Sequence, residues 1–258
     1  MIDLNADLAE GDRLTPVDLA LLDVVTSASL ACGFHGGSRS VMRDAAAACV
    51  ERGVTIGAHV SYRDRAGFGR RALDVPSERL AADLVEQWET LIAEVTAVGG
   101  RVAYVKPHGA LYNALATDPA VATTVVGALA PRCSVLVGPP DVHLAGTADA
   151  AGIGLVPEGF CDRAYDPVGR LVPRGDDLAE VDDPADVAER ARSLAVDGGV
   201  RATDGTWVPL TVRTLCLHGD RDGADRRGRA VRTVLDAAGV EVRAFAGGDD
   251  VAQRTGAR

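Results

Sequence analysis

Residues Ile2 to Leu8 alternate apolar and polar and end in the acidic tip Asp7, Glu10 and Gly11, a pattern that predicts a strand. Thr15-Pro16 predicts a helix start, with Thr as N-cap and Pro at the first helical position, carried to about Leu22. Val24 to Ala31 predicts a second strand, which runs into the stretch containing His35. Ser38 to Arg52 predicts a helix stopped by Gly53. Val54 to Ala58 predicts a third strand, which ends at His59. After an arginine-rich loop, Ser77 predicts the cap of a long helix with Leu80, Leu84, Trp88, Leu91, Ile92 and Val95 on one stripe. Val102 to Lys106 predicts a fourth strand, cut off by Pro107, which cannot donate to a ladder. A new element begins in the residues after Gly109, and Asp118-Pro119 predicts a further helix ended by Pro131.

Ser134 to Val137 and Ile153 to Val156 predict the fifth and sixth strands, with a helix through Ala151 between them. Asp166 to Gly169 predicts a turn joining two short strands outside the main sheet, and Asp183-Pro184 a helix to about Val196. Asp204-Gly205 predicts the pivot of a hairpin spanning Val200 to Leu210. Arg213 to Leu217 predicts a seventh main strand ending at His218. A helix carrying Val231, Val234, Leu235 and Ala238 follows, and Val240 to Phe245 predicts a last strand. Strand and helix alternate with no linker or change of composition, so residues 1–258 are expected to form one domain. The expected class is α/β: an irregular (β/α) barrel of seven or eight mostly parallel strands. No GxGxxG follows the first strand, which weighs against a dinucleotide-binding fold.

Composition sharpens this picture in three places. Aromatic residues are only 4% of the chain, so the core must rest on Val, Leu, Ile and Ala. A net charge of −10 argues against nucleic acid or an anionic membrane surface as partner. The five cysteines are scattered in apolar surroundings with no CxxC pair, which reads as buried free thiols. The first residues lack a basic stretch followed by an apolar one, and no apolar run is long enough to span a bilayer, so a cytoplasmic location is expected.

The chemistry sits at the predicted strand ends: Asp7 and Glu10, His35, His59, Lys106 and His108, Glu158 and Asp162, His218 and Asp220. In a barrel these project from one rim, where α/β folds place their active sites. Four of the five histidines fall there; the fifth, His143, lies on a helix and is assigned to structure. Two chemistries fit. Asp7, His59 and His108 would make a facial triad for a divalent metal, although no short ligand spacing such as HxxxH is present. Without metal, Asp7 or Glu10 would serve as general base, with Lys106 and a histidine stabilising an oxyanion. The loop bearing Arg63, Arg65, Arg70 and Arg71 fits either a carboxylate or phosphate clamp or a solvated loop that balances acidic surface. Arg226, Arg227, Arg229 and Arg232 read as a solvated helix face. No GxxxxGK[ST] is present, which excludes a conventional P-loop.

DLNADLAEG, SASLACGFHGG, TIGAHVSYRDRAGFGRR, VKPHGALYN, EGFCDRAYDPVGRLVPR and LCLHGD occur in this order from Asp3 to Asp220. In these blocks the chain resembles the LamB/YcsF family of 5-oxoprolinase A subunits. The resemblance implies an irregular (β/α) barrel similar to polysaccharide deacetylases and some glycoside hydrolases. It further implies opening of the 5-oxoproline lactam to L-glutamate, driven by ATP with Mg and carried out with two partner subunits. On that basis Asp7 and Glu10 are acid/base candidates, and Lys106 and His108 polarisers of a carbonyl or phosphate. His35, His59, Glu158 and His218 would position substrate, and Arg70 and Arg71 would bind its carboxylate or phosphate. A subunit that only presents substrate to a partner, and a metal-dependent amidase or deacetylase acting alone, are the rival readings. The family usually carries Cys at Ala6, Gly at Ala9, Asn at Ser29, Asp at Ser38, Pro at Val60 and Thr at Arg221. Ser29 and Ser38 are expected to remove polar groups near His35, and Arg221 to add charge beside His218.

Overall fold

Six strands follow the predicted order and pair in parallel: β1 (Asp3–Leu8), β2 (Ser27–Ala31), β3 (Thr55–Val60), β4 (Val102–Pro107), β5 (Val135–Gly138) and β6 (Gly154–Phe160). The antiparallel hairpin β7 (Gly199–Arg201) and β8 (Trp207–Pro209) stands outside them, and β9 (Thr214–His218) pairs with both β6 and β1 to close a seven-stranded barrel. The structure is a computed structural model and describes residues 1–246. Among the described residues eight α-helices surround the barrel: α1 (Pro16–Leu22), α2 (Arg39–Arg52), α3 (Ser77–Thr96), α4 (Gly109–Thr117), α5 (Pro119–Leu129), α6 (Val142–Ala150), α7 (Pro184–Arg192) and α8 (Ala224–Ala237). Among the described residues no helix is long and apolar enough to cross a membrane.

Local chemistry explains where the helices begin and end. Thr15 and Asp18 form a reciprocal capping box on α1, and Gly53 ends α2 with φ +67°. Asp118, Asp141 and Asp183 each accept two first-turn N–H groups at the starts of α5, α6 and α7. Ser77 does not cap α3: Pro76 occupies that position and Ser77 is the first helical residue. The α3 stripe buries Leu80, Leu84, Trp88, Leu91 and Val95 against the barrel, each contributing about 1.5–3 kcal/mol.

The alternation along β1 has an unusual meaning here, because every residue of the strand is buried. Leu4, Ala6 and Leu8 join the apolar core. Asp3, Asn5 and Asp7 turn the other way and bond across the lumen to Ser27, Thr214, Glu158 and Lys106. The barrel interior is therefore polar on this side. Elsewhere it is filled by the Tyr104 ring, which fits because Gly57 faces it; a Cβ at Gly57 would lie 2.1 Å from the ring.

Two predicted elements differ. Val240 to Phe245 is not a strand: it makes one isolated bridge, Ile2 to Val242, and then packs Phe245 on the Tyr104 ring 5.1 Å away. The barrel closes through β9 and β1 instead, which leaves no edge for an eighth strand to join. The turn at Asp166 to Gly169 forms, but its flanking strands shrink to the single bridge Tyr165 to Leu171.

Candidate active site

Pro107 ends β4, and His108 N–H donates to Val60 O at 2.7 Å, fixing the imidazole beside the end of β3. Gly109 then starts α4 at φ +56°, where a Cβ would lie 2.5 Å from Gly69 O; only glycine lets the 61–75 loop pass this close. That loop carries Ser61 and Phe68 over the barrel mouth. The structure thus brings Asp7, Glu10, His35, His59, Lys106 and His108 into one cluster.

The three imidazoles have defined tautomers, assigned from their partners. His59 Nδ1 lies 3.1 Å from Lys106 O and His108 Nε2 lies 2.9 Å from Phe68 O; a carbonyl only accepts, so both nitrogens carry hydrogen. Ser61 Oγ donates to Tyr62 O, and so accepts from His35 Nδ1 at 2.9 Å. The remaining nitrogens converge. His59 Nε2 and His108 Nδ1 are 2.9 Å apart, and Glu10 Oε1 lies 3.2 Å from His35 Nε2 and 3.4 Å from His108 Nδ1. Lone pairs facing one another at such distances require protons or a cation between them. Burial, with His59 next, holds His35 neutral, and burial with His35 and His59 does the same for His108. Burial and the nearby Asp7 push Glu10 well above the ordinary carboxyl range, so it arrives as a proton donor to His35.

Lys106 lies within the barrel, 1% exposed, with Nζ 2.8 Å from Asp7 Oδ1, 2.8 Å from Glu158 Oε1, 3.1 Å from Asn5 Oδ1 and 3.2 Å from Cys216 Sγ. Burial alone would discharge it, but Asp7 and the neighbouring groups raise it well above the usual lysine value. Burial likewise opposes ionisation of Asp7, yet His59 and Lys106 override it and hold Asp7 well below its ordinary value. Glu158 Oε2 and the Tyr112 hydroxyl are buried with no partner among the described residues.

The other predicted positions divide. His218 Nδ1 is 2.9 Å from Asp162 Oδ1, and its own N–H donates to Asp162 Oδ2 at 2.8 Å. Burial would raise Asp162, but the His218 charge and these hydrogen bonds hold it at about 2. Arg70 reaches Asp220 at 2.5 Å and covers the Phe68 ring, placing its guanidinium at the mouth. Arg71 turns back into its own loop and pairs with Asp64. Arg63 pairs with Asp83 and Glu86 beside α3 and Arg65 donates to Gly37 O at 2.7 Å, so of its four arginines the loop contributes Arg70 to the mouth.

The cluster also fits a divalent metal. Glu10, His35, His59 and His108 each offer a ligand atom, all within 4.8 Å of one another. The distal nitrogens of all three imidazoles already bond a carbonyl or hydroxyl, the outer-shell arrangement that orients metal-binding histidines. The convergent set contains Glu10 and His35 beside the expected His59 and His108, while Asp7 groups with Cys216 and His218.

Residues 2–249 match the model of the LamB/YcsF family. The chain belongs to that family. It is 50% identical to the 5-oxoprolinase A subunit of Streptomyces griseus and 52% identical to that of Streptomyces coelicolor, covering 95% of this chain and all of each relative. The crystal structure of a lactam utilization protein from Thermus thermophilus superposes with TM-score 0.87 at 38% identity, over 95% of this chain and 99% of that one.

Three of the positions at which this LamB/YcsF chain departs from the family pattern, Ser29, Ser38 and Arg221, make their bonds outside the cluster. Ser29 lies inside the barrel with its hydroxyl 3.1 Å from that of Tyr104, and bonds there rather than to His35. Ser38 is exposed and caps α2, the role an Asp would fill there. Arg221 is drawn to Glu180 at 2.5 Å and Asp182 at 2.6 Å. Sequence reasoning does not single out Asn5 and Ser61 as members of the cluster's support. Asn5 shares the strand parity of Asp7, which is a usable signal; Ser61 carries none beyond its nearness to His59.

Proposed function

We propose that this protein is the A subunit of an ATP-dependent 5-oxoprolinase, opening the lactam of 5-oxo-L-proline to L-glutamate with two partner subunits. The names of its relatives support that assignment, and one observation carries the chemistry: three imidazoles and Glu10 converge within hydrogen-bonding reach beside Asp7. An unstrained lactam resists hydrolysis, and phosphorylation of its carbonyl by ATP supplies the driving force. Ring opening then needs a base for the attacking water and an acid for the departing nitrogen. Neutral His35 and His108 are suited to take the water proton, and protonated Glu10 to deliver one to the ring nitrogen. Arg70 at the mouth is placed to meet the substrate carboxylate. Lys106 is enclosed and acts through Asp7, as a positioning residue that keeps that carboxylate ionised and beside His59.

The convergent donor set favours a second reading, a metal-dependent amidase or deacetylase acting alone, in which Glu10, His35, His59 and His108 would hold a divalent ion. When bound, such an ion would polarise a carbonyl and acidify a water. The two readings part in one experiment. Purified protein, partner subunits, ATP and 5-oxoproline should release glutamate, and omission of ATP should abolish release. Absence of glutamate under every condition removes the first reading; less than about a tenth of an equivalent of metal after supplementation removes the second.

A further inference from the structure

The imidazole cluster is closed to solvent. His35, His59 and His108 are 1%, 1% and 5% exposed, and the Glu10 side chain 10%. Nothing the size of a lactam reaches these groups unless their cover moves. The cover is the stretch Gly67 to Arg71 of the 61–75 loop. The Phe68 ring stands edge-on to the His35 and His108 rings, with centroids 5.6 and 5.4 Å away, and its carbonyl accepts from His108 Nε2 at 2.9 Å. Gly69 lies so close that a Cβ would be 2.9 Å from both His108 Cδ2 and His35 Cβ. Its carbonyl accepts from Ala110 N–H at 2.9 Å.

Residues 64–71 are tied into one piece. Asp64 accepts Gly67 N–H on its carboxylate at 2.9 Å and Gly69 N–H on its carbonyl at 2.8 Å. Arg71 closes the segment by returning its guanidinium to the Asp64 carboxylate. A short loop stapled end to end keeps its shape whether or not it rests on what lies beneath. Two arginines fasten this piece to the rim. Arg65 donates to Gly37 O at 2.7 Å and Gly33 O at 3.3 Å, with Asp12 at 3.5 Å. On the other side Arg70, its guanidinium 4.7 Å from the centre of the Phe68 ring, bonds Asp220 in the loop after β9 at 2.5 Å. The two fastenings differ in kind. Arg65 holds mainly fixed backbone carbonyls, whereas Arg70 holds a side-chain carboxylate, which another carboxylate can replace one for one.

We propose that residues 64–71 are a cap over the cluster, latched by Arg70 to Asp220, and that Asp220 stands in for the carboxylate of the substrate. Entry of substrate lifts the cap, and closure over it exchanges Asp220 for the bound carboxylate on Arg70. That this carboxylate is the one on 5-oxoproline rests on the function proposed above; the cap itself does not.

Diethyl pyrocarbonate acylates accessible neutral imidazoles, and exposed His143 supplies an internal reference. Relative to His143, acylation of His35 and His108, read by peptide mass spectrometry, should be slow in the wild type. It should rise about threefold or more in Asp220→Asn and in Arg70→Gln, with melting curves as the folding control. Calorimetric affinity for 5-oxoproline should move in opposite directions. Asp220→Asn loses the competitor and should bind about threefold tighter, whereas Arg70→Gln loses the receiver and should bind about tenfold weaker. 2-Pyrrolidinone, the same ring without the carboxylate, should bind Arg70→Gln no more weakly than wild type. A latch with only a structural role would shift 5-oxoproline binding the same way in both variants. Unchanged acylation in both overturns the cap and leaves the 5-oxoprolinase assignment standing; affinities that move together overturn the exchange. Raised acylation with no binding of 5-oxoproline to any of the three proteins, alone or with partner subunits, keeps the cap and sinks the substrate assignment.

Discussion

Replacing Lys106 by methionine tests the electrostatic logic of the barrel interior. Its Nζ is 2.8 Å from both Asp7 Oδ1 and Glu158 Oε1. At an effective dielectric of about 20, each contact is worth about 6 kcal/mol in Coulomb terms. Desolvating one ammonium and two carboxylates consumes several kcal/mol per group, so the intact set is close to neutral for stability. Removal of the cation is different, because it strands two buried carboxylates, and the expected loss is about 3–5 kcal/mol at neutral pH. The loss must depend on pH. In the wild type Asp7 is held well below its ordinary value, so its contribution is present above the unfolded value of 3.8 and fades only as pH falls through the folded one. In Lys106→Met, burial is no longer opposed by the lysine, the carboxylates keep protons to higher pH, and the variant loses stability as pH rises. Urea unfolding at about pH 5.5 and about pH 8 should therefore show a gap to wild type that widens by about 2 kcal/mol or more towards alkali. Glu158→Gln in the same background should recover part of it. A gap that is equal at both pH values, or that stays below about 1 kcal/mol at the higher one, refutes the reasoning.

Three further outcomes follow from the same structure. Burial raises Asp3 to about 6 despite bonds from Ser27, Thr214 and Thr26, so its contribution is complete below the unfolded value of 3.8 and lost as pH rises through 6. Asp3→Asn should flatten a fall of about 3 kcal/mol in stability between acid and mildly alkaline pH, measured by urea unfolding; an unflattened curve counts against it. Asp162→Asn should lower kcat/KM of the assembled enzyme by about 10- to 100-fold, mainly through KM, because it mis-sets the His218 ring expected to position substrate; a change confined to kcat would place His218 in the chemical step instead. Ala9, the position where the family usually carries glycine, has φ +63° and is fully buried. Relief of about 1–2 kcal/mol of left-handed strain offsets the lost methyl and the added chain entropy, so Ala9→Gly should be neutral within about 0.5 kcal/mol, whereas Ala6→Gly in an extended strand should cost about 1.5 kcal/mol.

The strand tips were legible because parallel barrels place every strand's C-terminal end on one rim, so topology substitutes for distance. His35, His59 and the Lys106–His108 pair are far apart in sequence but lie at three strand ends of the same kind, those of β2, β3 and β4. What the sequence lacked was the choice of partner. Nothing in the arginine-rich loop shows that Arg71 is taken by Asp64 while Arg70 crosses to Asp220, because that choice depends on a three-residue helical turn at Arg65–Gly67. Val240 to Phe245 has strand character, but strand character without a free edge produces only the bridge to Ile2. The imidazole tautomers were equally out of reach, since they are fixed by the carbonyls of Lys106 and Phe68, which no motif announces.

The polar interior explains why these features travel together. An apolar barrel lumen would be easier to stabilise, yet here Asp3, Asn5, Asp7, Lys106, Glu158 and Thr214 occupy it in a connected hydrogen-bond network. The network runs without a break from Asp3 at the start of β1 to Asp7, and from Asp7 through His59 to His108 and Glu10 at the mouth. A charge change at the rim is thus felt by carboxylates that water cannot screen, and ionisation of Glu10 is opposed by the Asp7 charge that Lys106 sustains. Burial and the Asp7 charge keep Glu10 protonated, whereas the lysine that stabilises Asp7 acts directly on Glu10 in the opposite sense. A displaced pH–rate profile in Lys106→Met should accompany the stability defect, and an enzyme that kept its profile after losing Lys106 would show that the two ends of the network are not coupled.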